Sequence, residues 1–263
     1  MIKNFIKRHS HNLLFKWIGG LGLSVYRLYE NRNHRIHSNG ERTLLKKLGK
    51  LNPQVIIDGG ANVGQYAREA LLHCPTARVF CLEPVPETFR LLKENLHGEK
   101  RVTFINKGLY HTPGPQKIHL YPSHTHASIV SLTGVPYATT GTTTIHMTRG
   151  DDLVNEYGIK KIDLLKLDLE GAEYDALLGF DKTLQAGKIR VVQFEYGYIN
   201  ILTKKLLFDF YQFFAQHGYR VGKIFPKKVE FRPYRFKHED FLGPNYVAVH
   251  EDDHEMMTLL SKR

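Results

Sequence analysis

Four carboxyl side chains stand where short apolar runs stop. Asp58 follows Val55-Ile56-Ile57, Glu83 follows Val79-Phe80-Cys81-Leu82, Asp168 closes Ile162–Leu167, and Glu195 follows Val191-Val192-Gln193-Phe194. Runs of this kind read as buried parallel strands. In an open parallel sheet the carboxyl ends share one rim, and ligands bind there. Carboxylates on such a rim can grip hydroxyls, hold a cation or take up a proton.

The residues after Asp58 narrow the ligand. Gly59-Gly60-Ala61-Asn62-Val63-Gly64 is a tight turn, and Gln65–Leu72 resumes at helical spacing. Glycines let backbone approach a ligand closely, and a helix start offers free N–H groups. The spacing is G-G-x-x-x-G, not the dinucleotide G-x-G-x-x-G, and no Gly-Lys-Ser/Thr ending marks a phosphate loop. An acid in the turn repels pyrophosphate and suits a cationic ligand rich in hydroxyls. S-adenosylmethionine (SAM), with its ammonium, sulfonium and ribose diol, fits. Glu83, 25 residues after Asp58, stands where an acid holds ribose hydroxyls.

The elements that must place these groups follow in order. Strands are expected at Gln54–Asp58, Arg78–Glu83 and Val102–Asn106, with helices from about Gln65 to His73 and from Glu87 to Leu96. This β-α-β-α-β order predicts right-handed crossovers and a parallel sheet. Further strands are expected at Ile162–Asp168 and Ile189–Glu195, and helices at Asp151–Tyr157, Ala172–Leu184 and Lys204–His217. Tyr219–Phe225 and Tyr246–His250 read as a closing antiparallel pair, so the sheet is mixed. Residues 110–150 are punctuated by proline and glycine, with strand-like alternation at Lys117–Tyr121 and Thr142–Met147. So long an irregular stretch usually covers a site.

The chain has 263 residues, 42% hydrophobic and 24% charged, enough for one large α/β domain with an extension. Cys74 and Cys81 form no disulfide framework, which suits a reducing, cytoplasmic setting. The net charge is +11, and residues 1–50 hold eleven Lys/Arg against Glu30 and Glu41, a local excess of nine. The chain therefore divides into a basic helical extension, 1–50, and a cofactor domain, 51–263. Within Asn12–Tyr29, Lys16, Arg27 and three glycines interrupt the apolar run, which is short for a transmembrane span. The plainer expectation is a helix that packs on the core and caps the cofactor. A basic amphipathic helix carrying Phe15 and Trp17 also suits peripheral contact of residues 1–30 with an anionic membrane.

Two other signals are weighed and set lower. His119, His124, His126 and His146, with Asp168, could bind a divalent metal that acidifies an acceptor hydroxyl. They lack a helical H-x-x-x-H spacing or a cysteine partner, and a solvated loop is the simpler reading; His124 or His126 could still act as a base from a lid. The basic and aromatic residues from 223 to 237 (Lys227, Lys228, Arg232, Arg235 and Lys237 beside Phe231, Tyr234 and Phe236) could touch nucleic acid. No RNA-binding module is visible, and nucleic acid is not the expected partner.

Asp58-Gly-Gly-Ala-Asn-Val-Gly64, Leu82-Glu83-Pro84 and above all Asp163-Leu-Leu-Lys-Leu-Asp-Leu-Glu-Gly-Ala-Glu173, followed by Leu177-Leu178-Gly179, resemble the FkbM family of SAM-dependent methyltransferases. Ala127-Ser128-Ile129 resembles that family's serine-containing loop. The resemblance runs from about residue 52 to 250. It implies a class I Rossmann-like fold with a mostly parallel seven-stranded sheet, and methyl transfer to a hydroxyl oxygen of a saccharide or secondary metabolite. By position, Asp58, Gly59, Gly60, Asn62 and Gly64 would hold the methionine part, Glu83 the ribose, and Asn106 and Lys107 would face the adenine. Methyl transfer to oxygen needs an aligned acceptor and a group to take its proton. Asp168 is the first candidate base, with Glu170 and Glu195 as alternatives. Lys166, two residues from Asp168 and on the same strand face, could tune it or orient the acceptor. Glu173 is expected at a helix start for structural reasons. The competing readings are a nucleotide-sugar or NAD enzyme, an RNA methyltransferase, and a non-catalytic SAM-fold protein held at a membrane by residues 1–30.

Overall fold

The computed structural model describes residues 2–121, 127–129, 131 and 139–262. The chain opens with three helices, α1 (Ile2–Arg8), α2 (Leu13–Tyr29) and α3 (Glu41–Gly49). An alternating stretch follows: β1 (Val55–Gly59), α4 (Gln65–His73), β2 (Arg78–Leu82), α5 (Pro86–Asn95) and β3 (Val102–Ile105). Next come β4 (Gly108–Leu109), β5 (Gly114–Leu120), β6 (Ala127–Ser128), β7 (Gly141–Thr148) and α6 (Gly150–Glu156). The chain continues through β8 (Ile162–Leu167), α7 (Glu173–Gly179), α8 (Asp181–Gln185), β9 (Ile189–Glu195), α9 (Ile199–Thr203) and α10 (Leu207–Gln216). It closes with β10 (Tyr219–Ile224), β11 (Val229–Phe231), β12 (Asn245–His250) and α11 (His254–Ser261).

The main sheet runs β11-β10-β12-β9-β8-β1-β2-β3. Strands β3, β2, β1, β8 and β9 are parallel. Strand β12 slots between β9 and β10 and runs antiparallel to both. The expected seven strands are joined by an eighth, β11, formed inside the basic C-terminal loop. Order reverses at β1, whose neighbours are β2 and β8, so the switch point lies at the end of the Asp58 strand.

Strand alternation sorts the core into two layers. Ile57, Phe80, Leu165 and Val192 face α6, α7, α8 and α10, with Leu153, Leu177, Phe210 and Phe214 against them. Ile56, Val79, Leu164 and Val191 face α3, α4, α5 and α11. Leu44, Leu45 and Leu48 of α3 are built into that second layer, beside Ala67, Ala70 and Leu71 of α4.

Three local expectations change. The stretch expected as one helix over Ala172–Leu184 breaks at Phe180, because buried Asp151 caps a new start: its carboxylate accepts from the Lys182 and Thr183 N–H groups and the Thr183 hydroxyl. The strand-like segments Lys117–Tyr121 and Thr142–Met147 do pair, and they belong to a larger unit than their alternation suggested. Strand β5 pairs antiparallel with β7, β4 and β6 extend them, and the result is a four-stranded second sheet. Finally, α2 does not turn its apolar face onto the core: none of its residues is buried, and only Phe15 and Arg27 are half-buried.

The core instead takes hold of the chain just after α2. Buried Glu30 accepts from Lys223 Nζ at 3.0 Å and from Arg232 at 3.1 Å, and Lys223 is itself buried. The Asn31 amide donates to the carbonyls of Asn39 and Ile224. Two cations of the basic C-terminal segment therefore point inward. Removing one partner of a buried ion pair strands the other, so Glu30→Ala is expected to cost about 3 kcal/mol, read from urea unfolding. The double variant Glu30→Leu/Lys223→Met should recover most of that loss. A midpoint unchanged by Glu30→Ala would show that this clamp does not hold the segment.

Candidate active site

The site starts from a register. Asp58 on β1 sits opposite Lys166 on β8, and Lys166 sits opposite Gln193 on β9. All three fall on the α4 face at the carboxyl rim, where a polar side chain must find its partners inside the protein. The Lys166 ammonium lies 3.1 Å from Asp58 Oδ1 and 3.4 Å from Asp168 Oδ2, and donates to the Gly60 carbonyl at 3.2 Å. It also stands 5.2 Å from the centre of the Tyr66 ring. Burial pulls the Lys166 pKa down, but Asp58, Asp168 and Glu41 outweigh it and the net shift is upward. The ammonium therefore stays charged. Asp58 has 0% exposure and, apart from this ion pair, neither of its oxygens has a hydrogen-bond partner among the described residues. Around this centre, Tyr66 Oη donates to Gln193 Oε1, and Gln193 Nε2 and Asn39 Nδ2 each donate to one oxygen of Glu41.

The turn after β1 is shaped by contact with this centre. Gly60 has φ of +74°, and a Cβ there would lie 1.9 Å from the Asp168 carbonyl oxygen, so no other residue fits. The Gly60 and Ala61 N–H groups both donate to the Leu82 carbonyl, tying the turn to the end of β2. Asn62 adopts φ of +48°, and its side-chain oxygen accepts from the Val63 N–H. Glu83 completes the turn from the neighbouring strand: Oε2 accepts from the Asn62 N–H at 3.0 Å and Oε1 from the Val85 N–H at 2.9 Å. Burial raises its carboxyl to about 7 against the pull of those two donors. Each oxygen keeps a second acceptor direction for a ligand hydroxyl.

These groups open onto a cleft of about 430 Å³, within the range of small-molecule sites. Of the residues singled out in the sequence, Gly60, Asn62, Glu83, Lys166, Asp168, Glu170 and Glu195 line it. Asp58, Gly59 and Gly64 stand behind it, in the supporting layer. Asn106 and Lys107, expected at the adenine, do not line it. The Asn106 amide donates to the Glu83 and Pro84 carbonyls, and Lys107 pairs with Glu156 on the surface. In their place the wall is apolar, with Val85, Leu109 and Met147. The second sheet contributes Ile118, Ile145 and the Ala127–Ile129 segment. His119 and His146 alternate with those isoleucines and lie on the other face of their strands. His124 and His126 are outside the described residues. Among the described residues no group of three or more His, Cys, Asp or Glu side chains is arranged to hold a metal.

Beside the turn, at the ends of β8 and β9, carboxyls gather. Asp168 is 45% exposed to the cleft. Burial and the Asp168 charge raise the Glu195 carboxyl to about 7, although His34 draws it down. Glu170, at φ of +50°, is pushed well above the usual carboxylate range by burial, Glu195 and Asp168. Its carbonyl accepts from the Ser128 hydroxyl, which pins the second sheet to this loop. Glu173 is structural: its carboxylate accepts from the Leu169 and Gly171 N–H groups and closes the loop before α7.

His34, Ile36 and Glu41 also line the cleft, and the sequence reading missed all three. His34 Nδ1 lies 3.5 Å from Glu195 Oε1, which raises the imidazole pKa chiefly through that hydrogen bond. The signal was available in principle. A histidine and an acid flank the break before α3, but no strand pattern ties that break to the rim.

The methyltransferase FkbM domain model matches residues 58–221. A hexuronic acid methyltransferase, AglP, of Haloferax volcanii is 31% identical over 177 residues, covering 66% of this chain and 69% of that protein. A 2-O-methyltransferase, NoeI, of Sinorhizobium fredii is 30% identical over 170 residues, covering 59% of this chain and 68% of that protein. An O-methyltransferase of Bacillus cereus, solved in complex with SAH, aligns over 95% of this chain and 100% of that one at a TM-score of 0.44 and 11% identity. The domain match spans well over half of the chain and contains every rim carboxyl described above: the chain belongs to the FkbM methyltransferase family and is a SAM-dependent methyltransferase.

Proposed function

We propose that the protein methylates a hydroxyl oxygen of a saccharide or related hydroxylated metabolite, in the cleft between the Gly60 turn and the Asp168–Glu195 pair. The observation that carries this reading is the cluster of Asp168, Glu195 and His34 lining the same cleft as a turn suited to the cofactor. Two relatives support the acceptor class by their names, one a 2-O-methyltransferase and one a hexuronic acid methyltransferase.

The residues fit SAM on the structure's own terms. Gly60 keeps the turn tight against the rim, where a Cβ would meet the Asp168 carbonyl, and the raised Glu83 carboxyl has acceptor directions to spare. Gly60 and Asn62 would hold the methionine part, supported from behind by Asp58, Gly59 and Gly64. Glu83 would take the ribose diol, and Val85, Leu109 and Met147 the purine. Bound there, SAM supplies an electrophilic methyl group on a sulfonium.

The protein's own task is to present the acceptor oxygen and remove its proton. Asp168, exposed to the cleft and steadied by Lys166, is the base. Glu195 and His34 stand beside it, and Glu170 fills the wall. Lys166 is a positioning residue, held by Asp58, Asp168 and the Gly60 carbonyl.

In calorimetric titration with SAM, Glu83→Gln should weaken binding about 10- to 100-fold, the cost of losing charged hydrogen bonds. Unchanged affinity would move the ribose elsewhere. Asp168→Asn should lower kcat by about 10²- to 10⁴-fold while leaving SAM affinity within a few-fold. An undiminished kcat would remove it as the base. While Glu195 holds its proton it can donate to Asp168 and occupy the base. Activity should therefore rise with pH through a midpoint near 7, and Glu195→Gln should abolish that limb. A wild-type profile flat from pH 6 to 8 would contradict the pairing. With labelled SAM and a panel of uronic-acid and amino-sugar oligosaccharides, the label should appear as a base-stable methyl ether. A base-labile ester would show that a carboxylate is the acceptor.

A further inference from the structure

The first 29 residues contain Lys3, Lys7, Arg8, Lys16 and Arg27 and no acidic residue. Within them, α2 reverses the usual arrangement of a surface helix. At about 100° per residue, Leu13, Trp17, Leu28, Leu21, Leu14, Val25 and Ile18 fall on one arc of roughly 140°. These side chains are exposed, from 51% at Ile18 to 84% at Leu13. The two half-buried positions of the helix, Phe15 and Arg27, lie off that arc, as does Lys16. The apolar face thus points to solvent, whereas a globular helix turns it inward. At 17 residues α2 is too short for a span, and no helix among the described residues is long and apolar enough to cross a membrane. An apolar stripe with cations around it and no acid nearby matches an anionic lipid surface, where the stripe enters the acyl boundary and the cations meet the headgroups.

We propose that α2 docks this protein on an anionic bilayer, lying in the interface with its Leu14-Trp17-Leu21 face down. The helix is not a loose tether. Glu30, one residue past its end, is locked to Lys223 and Arg232. Five residues beyond Tyr29, His34 lines the cleft, so the chain from helix to cleft spans roughly 18 Å at most. Docking would hold the cleft at the bilayer surface.

Trp17 is the only tryptophan in the chain and sits on the proposed face, so it reports directly. The full protein is mixed with phosphatidylcholine vesicles with and without 30% phosphatidylserine, then followed by flotation and by tryptophan emission. The expected result is flotation and a blue shift with the anionic vesicles alone, both lost in 1 M salt and in Trp17→Glu/Leu21→Glu (flotation only for that variant). SAM affinity of the variant should equal wild type, since both side chains are exposed and neither lines the cleft. No flotation, or equal flotation with neutral vesicles, would overturn the proposal. So would a concentration-dependent dimer, lost in the variant, which would make the face a contact between copies. Loss of SAM binding by the wild type would overturn the functional reading alone and leave the docking result standing.

Discussion

The buried ammonium of Lys166 is the constraint on which the site depends. Taking a lysine charge out of water costs several kcal/mol unless acceptors replace the water. Here Asp58, Asp168 and the Gly60 carbonyl do so, drawn from two strands and one turn. Each partner is fixed in return. Asp58 can be wholly buried only because the ammonium faces it. The Gly60 turn is held over the end of β8, near enough to the Asp168 carbonyl that a side chain is excluded. One cation therefore sets the distance between the Gly60 turn and the Asp168 end of β8.

The charges do not balance, and the imbalance has a use. Asp168, Glu170 and Glu195 crowd the rim beside the Gly60 turn, with the Lys166 ammonium and the His34 imidazole next to them. Burial and mutual repulsion push Glu195 and Glu170 upward, and Glu195 reaches about 7. A base that works near neutrality needs such an environment. The second sheet and the His34–Glu41 segment close over it with apolar and hydrogen-bonded walls, and the rim becomes a cleft.

Much of this was legible in the chain because it obeys short-range rules. The apolar runs ending at Asp58, Glu83, Asp168 and Glu195 fix strands, and parallel strands bring their ends together. The i, i+2 relation of Lys166 and Asp168 correctly placed them on one face. What stayed hidden depends on contacts distant in sequence. His34 reaches Glu195 only through the Glu30 clamp to β10 and the following loop. Asn106 looked like an adenine contact by position, yet two nearby carbonyls claim its amide. The break at Phe180 follows from Asp151, some thirty residues upstream. The apolar arc of α2 was visible in the sequence, but its outward orientation was not, since periodicity reveals a stripe without saying what covers it.

On the function proposed above, Lys166 holds the Gly60 turn in its SAM-binding shape. That role is tested most directly by calorimetric titration of SAM into Lys166→Met, with circular dichroism to check the fold. The account predicts a folded protein that binds SAM at least about tenfold more weakly, because Asp58 loses its ion partner and the Gly60 carbonyl its donor. A folded Lys166→Met protein that binds SAM as tightly as wild type would contradict it.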